Sequence, residues 1–492
     1  MSQAKPLPTR LLVGPFNRVE GDLEVSLDIQ QGAVQSAHVN APMYRGFEQI
    51  LTGKAPHDSL VFVPRICGIC SVSQSVAAAR ALSDLAGITP PANGLHATNL
   101  MLAVENMADH LTHFYVFFMP DFTREVYADR PWHAEATRRF RSEYGEQVRA
   151  SLAARQRWFN LLGTLGGKWP HTQSIEPGGS TRAIDVAERT RLLSRVREFR
   201  AFLERELFAA PLEVVTSLAS EEALWAWHDE APNRGDLRLF LSIVRDQQLQ
   251  RMGPGPGRYL SYGAYLQPDG SSALGNGLWL AGSDAPARVN THQIREDATC
   301  TWLAQAREPL HPYQGLTRPE MDKAEAYTWN KAPRLDGQVV ETGAIARQLV
   351  SGQPLIRDLV GRHGGSVYSR VVARVLELAV VVPMMEQWLA AIVPGESFCE
   401  SLRLPDEGSG QGLSEAARGA LGHWLVVHDG RIANYQIIAP TSWNFSPRDA
   451  QGQPGALEQA LVGAPVREGE TTPVAVQHIV RSFDPCMVCT VH

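Results

Sequence analysis

Near its start the chain alternates. Leu23, Val25, Leu27 and Ile29 fall on one face, with Glu24, Ser26 and Asp28 on the other. That is the period of a half-buried strand. Gln31-Gly32 punctuates the chain before a second strand around 34–39, so a hairpin is expected. From Ser71 to about Ala209 the period becomes helical, over 71–85, 97–118, 134–162 and 183–208. Breaks such as Pro90-Pro91 and Pro177-Gly178-Gly179 separate these stretches. The Gly/Pro-rich region 253–282 reads as loops and short strands of a small insertion. Helical spacing returns over 320–327, 341–349 and 369–392. Trp424–His428 and Ile432–Ile438 flank Asp429-Gly430, a two-residue hairpin signal. There is no internal repeat.

The 492 residues suffice for more than one domain around a large core. A net charge of −6 without a basic run argues against nucleic acid or anionic lipid as partners. Met1–Arg18 lacks the apolar core of a secretory signal. The most apolar stretch, 371–393, is interrupted by Arg374, Glu377, Pro383 and Glu386, so it reads as a buried helix and not a membrane span. A cytoplasmic location is the expectation.

The six cysteines change the picture. Cys67/Cys70 and Cys486/Cys489 form two Cys-x-x-Cys pairs, while Cys300 and Cys399 stand alone, as buried small residues. Two such pairs supply a tetrahedral set of four thiolates. On spacing alone a structural zinc site, a redox pair and another metal centre all stay open. Zinc ribbons, however, keep their pairs within about 15–20 residues, and no βαβ pattern accompanies these.

The flanking residues narrow the choice. Arg65-Ile66-Cys67-Gly68-Ile69-Cys70 and Asp484-Pro485-Cys486-Met487-Val488-Cys489-Thr490-Val491-His492 resemble the paired signatures of nickel–iron hydrogenase large subunits. So do Arg18-Val19-Glu20-Gly21, Arg45-Gly46-Phe47-Glu48, Gly166-Gly167-Lys168-Trp169-Pro170-His171, Arg418-Gly419-Ala420-Leu421-Gly422-His423-Trp424 and Pro440-Thr441-Ser442-Trp443-Asn444, in order along the chain. The resemblance implies one family unit over 1–492, mainly α with peripheral β-hairpins (α+β), around a central helical bundle. Its hairpin region would span about 10–60, the helical body 71–400 and the metal-ligand segment 414–492.

It also implies a chemistry: heterolytic cleavage of dihydrogen at a Ni–Fe centre whose iron carries one carbonyl and two cyanides. Cys67 and Cys486 would bind nickel terminally, with Cys70 and Cys489 bridging to iron. Arg418 and Thr441 match donors to the cyanides, and Ala417 stands where a proline usually precedes that arginine. Arg418 would overhang the open site beside aspartates matched to Asp121 and Asp484; the plainer alternative is a buried ion pair. Cys486 would take the first proton and Glu20 relay it. Glu48, His492 and the carbonyl of Ile437 would hold magnesium. No cysteines remain for iron–sulfur clusters, so these are expected on a separate small subunit.

Several residues depart from the usual family pattern: Asp22, Gln74, Val116 and Ala417. Ile69 and Phe117 replace smaller residues at the gas channel. Gln74 and the Ile/Phe pair resemble the hydrogen-sensing, regulatory subclass, which signals to a histidine kinase and turns over slowly. Catalytic subunits are usually made with an extension that is removed during maturation by dedicated proteins; a chain encoded to end at His492 would match the sensors instead. An energy-conserving uptake hydrogenase is the main alternative. A structural zinc protein, or a relative of the complex I subunit (which lacks the four cysteines), is the other.

Overall fold

The computed structural model describes residues 9–492; the first eight, part of the Met1–Arg18 segment read for a signal, lie outside it. The N-terminal hairpin forms as the alternation predicts. Glu24–Gln30 pairs antiparallel with Ala33–Asn40. Gln31 (φ 54°) and Gly32 (φ 72°) both take the positive dihedrals of a type I′ loop. A third strand, Thr9–Val13, joins the outer edge of Glu24–Gln30. Its pattern is weak because Leu12 is exposed.

Four long helices make the body: Ser71–Ala86, Ala92–Thr112, Val186–Phe202 and Val367–Ala391. Helix 367–391 packs on both 92–112 and 186–202. Helix 92–112 is buried on nearly every face, which fits its weak amphipathic pattern. Among the described residues no helix is long and apolar enough to cross a membrane.

The structure corrects four expectations. The helix predicted over 97–118 is α-helical only to Thr112 and continues as a π-turn over His113–Phe118. Such widened turns recur at functional sites. The stretch 134–162 splits into His133–Phe140, Glu146–Trp158 and Asn160–Gly166, with Glu143 left-handed (φ 68°) where the chain turns. Residues 320–327 form no helix. They follow Pro319 and expose Met321, so they have no apolar face to bury, and Lys323 Nζ instead donates to the carbonyls of Ala298 and Leu303 at 2.6 and 2.8 Å. Residues 253–282 hold two nine-residue strands in place of loops and short strands. Arg258–Leu266 and Ser272–Leu280 form a hairpin packed on helix Ala344–Val350 and on the C-terminal sheet, their small residues masking the strand period.

That C-terminal sheet runs Gly408–Ala416, Gly419–His428, Arg431–Ile438. Asp429 (φ 50°) and Gly430 (φ 68°) make the expected hairpin turn. Its first strand lies directly on helix 71–86: a Cβ at Gly412 would stand 1.8 Å from the Ala77 carbonyl oxygen. Two helices thus deliver the chemistry. One begins at Ser71, just after Cys70; the other, Val474–Phe483, ends just before Asp484 and Cys486.

Candidate metal centre

Folding closes a 419-residue gap between the cysteine pairs. Cys67 Sγ lies 3.5 Å from Cys486 Sγ, Cys70 Sγ 3.0 Å from Cys489 Sγ, and Cys486 Sγ 3.1 Å from Cys489 Sγ. All four thiols are free and buried, and their ligand atoms lie within 4.8 Å of one another. Cys300 and Cys399 lie elsewhere and are only partly buried, not the fully buried residues expected.

Three devices hold the loops. The first is a backbone stitch: Glu20 N–H donates to the Pro485 carbonyl at 3.4 Å, and Met487 N–H to the Glu20 carbonyl at 2.7 Å. The approach needs Gly21, at φ +80°, where a Cβ would meet the Val488 nitrogen at 3.0 Å. The second is Arg45, whose Nη2 donates to the carbonyls of both Ile66 (2.6 Å) and Val488. The third is Glu105. Its carboxylate accepts from the Val72 and Ser73 amides, each at 2.8 Å, and from Trp169 Nε1 at 3.1 Å. Burial pushes this carboxyl up to about 8 against those hydrogen bonds, so it holds the start of the helix that follows Cys70 through the hydrogen bonds themselves.

Arg418 is buried beside the sulfurs. Its Nη1 donates to Asp109 Oδ2 at 2.5 Å, and its Nη2 lies 3.2 Å from Asp484 Oδ1. Asp121 is not its partner, contrary to the motif match. Beyond the π-turn, Asp121 is carried to a separate cluster with Arg18, Arg124, Arg481 and His478. Asp109 takes the expected place, on helix 92–112 one turn before His113. That i, i+4 spacing was the signal available in the sequence. Thr441 Oγ1 accepts the Cys486 amide at 3.0 Å, which leaves its hydroxyl proton free to donate. The buried Ala417 contributes a carbonyl to Arg347 Nη2 at 3.0 Å.

Glu20 is half-buried. Burial, then the neighbouring Cys67, pushes its carboxyl above the ordinary value, against the pull of Arg418 and Arg45. Among the sulfurs, hydrogen bonds from Cys486, Cys489 and Cys70 hold the Cys67 thiol well below its ordinary range, while Cys70 and Cys489 are pushed well above theirs. Ionising all four at this spacing needs a cation among them.

A family model described as "Nickel-dependent hydrogenase" matches residues 45–156 and 148–492. The chain belongs to that family. It is 30% identical to the periplasmic [NiFeSe] hydrogenase large subunit of Desulfomicrobium baculatum, over 98% of this chain and 95% of that one. It is 26% identical to the uptake hydrogenase large subunit of Rhodobacter capsulatus, over 98% and 95%. The H2-activated D. baculatum [NiFeSe] structure superposes with a TM-score of 0.85 at 30% identity, covering 98% of this chain and all of that chain. The α+β architecture expected from the motifs is that of these hydrogenases.

The donor set of this hydrogenase fits a centre larger than one tetrahedral ion. Arg418 Nε is buried without a hydrogen-bond partner. A zinc saturated by four thiolates has nothing to offer this donor, whereas a group with its own acceptor ligands does.

At the C-terminus Glu48 Oε1 lies 3.0 Å from His492 Nε2 and accepts the Ile437 amide at 2.8 Å. A strand residue points its N–H and C=O to the same edge, so the Ile437 carbonyl faces this group too. Burial raises the Glu48 carboxyl, but Lys331 and His492 outweigh it and hold it at about 2. Sequence reasoning missed Lys331, whose Nζ lies 3.3 Å from Glu48 Oε2, 3.5 Å from Glu296 Oε2 and 2.7 Å from Gln436 Oε1. A cavity of about 20 Å³ lies among them. Gln74 bridges two further groups: Nε2 stands 3.9 Å from Cys489 Sγ, and Oε1 lies 2.8 Å from His423 Nε2. Ile69 and Phe117 are partly buried.

Proposed function

We propose that this hydrogenase large subunit splits dihydrogen heterolytically, with Cys67, Cys70, Cys486 and Cys489 as ligands of its Ni–Fe centre. The observation that carries the reading is the buried thiol quartet with Arg418 beside it. The bound centre, with carbonyl and cyanide on iron, supplies the polarisation of dihydrogen. The protein does the rest. Arg418 Nε and the Thr441 hydroxyl would donate to acceptor ligands of the bound centre. Arg418, fixed by Asp109 and Asp484, would hold a positive charge beside it. Cys486 accepts the proton and passes it to Glu20, whose raised carboxyl suits a relay.

Glu48, His492 and the Ile437 carbonyl hold magnesium: with Glu296 they offer hard oxygens and two carboxylates against the single ammonium of Lys331. Electrons leave through a small subunit bearing iron–sulfur clusters, since this chain's two other cysteines lie apart from the centre. Gln74, Ile69 and Phe117 support a cytoplasmic sensor that turns over slowly, tolerates oxygen and signals to a kinase. The second reading is an uptake enzyme, favoured by the similarity to the R. capsulatus subunit.

The test is hydrogen–deuterium exchange and dye reduction by the heterodimer matured with its assembly proteins. Slow exchange that survives air supports the sensor. Fast turnover lost in air supports the uptake enzyme. No exchange by a nickel- and iron-loaded protein overturns both.

A further inference from the structure

Asp121 is shared by three arginines. Arg18 Nη2 contacts it, Arg124 Nη2 lies at 3.0 Å and Arg481 Nη1 at 2.8 Å, and the carboxylate is fully buried. Among the described residues no other carboxylate lies within salt-bridge distance of any of the three. The first eight residues contain no Asp or Glu. His478 is the carboxylate's remaining neighbour, at 3.1 Å, and burial lowers its pKa, so it adds no further positive charge. One negative charge therefore faces three positive ones.

The excess faces a cavity. A pocket of about 250 Å³ is lined by Phe16, Asn17, Arg124, Thr472, Gln477 and Arg481, among others, and by no carboxylate. Arg481 is 1% exposed, yet its Nε has no hydrogen-bond partner. Burial pushes this guanidinium down to about 10, against the attraction of Asp121. Arg124 is 27% exposed and, among the described residues, makes its one side-chain hydrogen bond through Nη2, to Gln477. Gln477 and Arg481 are four residues apart, so one helix face presents both. Thr472 stands at the positive end of that ten-residue helix.

We propose that this pocket is a binding site for a small oxyanion of the size of orthophosphate. Planar guanidinium groups with unused donors bind such oxyanions through charge-assisted hydrogen bonds. The bound anion joins two segments that run into the metal centre, since Asn17 and Arg481 both line the pocket, three residues before Glu20 and five before Cys486. Its occupancy therefore stiffens the stitched loops and stabilises the folded subunit. The site stands on charge and geometry and does not depend on the hydrogenase chemistry.

The experiment is equilibrium dialysis of the purified heterodimer against radiolabelled orthophosphate, at ionic strength held constant with chloride, with melting followed in parallel. Saturable binding with a dissociation constant of about 1 mM or tighter is expected, with a rise in Tm. Arg124→Gln, at the solvent edge and outside the catalytic machinery, weakens binding about tenfold or more. The control Arg191→Gln, on an exposed helix face, binds as wild type. Binding that never saturates, a Tm rise that chloride reproduces, or full binding by Arg124→Gln overturns the proposal.

Discussion

Arg418 donates through both terminal nitrogens to Asp109, at 2.5 and 3.3 Å, with each side chain only 3% exposed. Removing one partner of such a pair strands a buried charge, at a cost of about 3–5 kcal/mol. Asp109→Ala is expected to lower Tm sharply, and Asp109→Asn to cut dihydrogen turnover about 10²-fold or more by releasing the guanidinium. Asp121→Asn, in the separate arginine cluster, lowers Tm but leaves the turnover of the folded enzyme near wild type. Dye-reduction assays and melting curves check both; equal losses of turnover would refute the assignment.

Glu20 is stitched by its backbone to the Cys486 segment, so substituting its side chain leaves the loop in place. Glu20→Gln is expected to retain nickel and iron while turnover and hydrogen–deuterium exchange fall about 10²–10⁴-fold, the range for a lost proton-transfer group. Metal content measured beside exchange separates this outcome from a failure to mature.

Burial lowers His113 and His423 to about 3. In the unfolded chain each takes up a proton near pH 6.5. Below about pH 6.5 the unfolded state thus binds more protons, and stability falls with pH by about 1.4 kcal/mol per unit for each such histidine, until about pH 3. Melting temperature measured downward from about pH 7 should decline from that point. A flat profile to about pH 5 would contradict the buried neutral state.

Gln74 spans Cys489 and His423, and His423 Nδ1 lies 2.8 Å from the Tyr435 hydroxyl. Gln74→Leu leaves His423 Nε2 without its partner, a destabilisation of about 1–3 kcal/mol. It also strips a hydrogen bond from a proposed bridging thiolate, so the carbonyl stretch of the loaded protein should shift. An unmoved band would show that the glutamine serves packing alone.

Ile69→Val combined with Phe117→Leu widens the proposed gas path. Oxygen inactivation measured on a hydrogen electrode should become faster, with dihydrogen turnover in the absence of oxygen little changed. Unaltered oxygen behaviour would mark the pair as ordinary core packing.

Much of this was legible in the chain because local chemistry specified it. Gln31-Gly32 and Asp429-Gly430 announced their hairpins, and the cysteine strings announced the centre. Tertiary context decided the rest. The hairpin at 258–280 was hidden because its strands are rich in small residues that pack under other elements. The helical spacing at 320–327 misled because periodicity without an apolar partner surface does not fold. Asp121 was matched in place of Asp109 because motif order cannot show that a π-turn at 113–118 swings the later aspartate away. Lys331 and Glu296 belong to the Glu48 group only through the fold.

We propose that the four cysteines hold a Ni–Fe centre with carbonyl and cyanide ligands. The measurement is an infrared spectrum of the matured, anaerobically purified heterodimer, with metal analysis of its separated large subunit. Nickel and iron in equal amounts in that subunit and sharp carbonyl and cyanide stretches that respond to dihydrogen are expected. Both are lost in Cys486→Ser. Zinc in place of nickel, with no such bands, would contradict it.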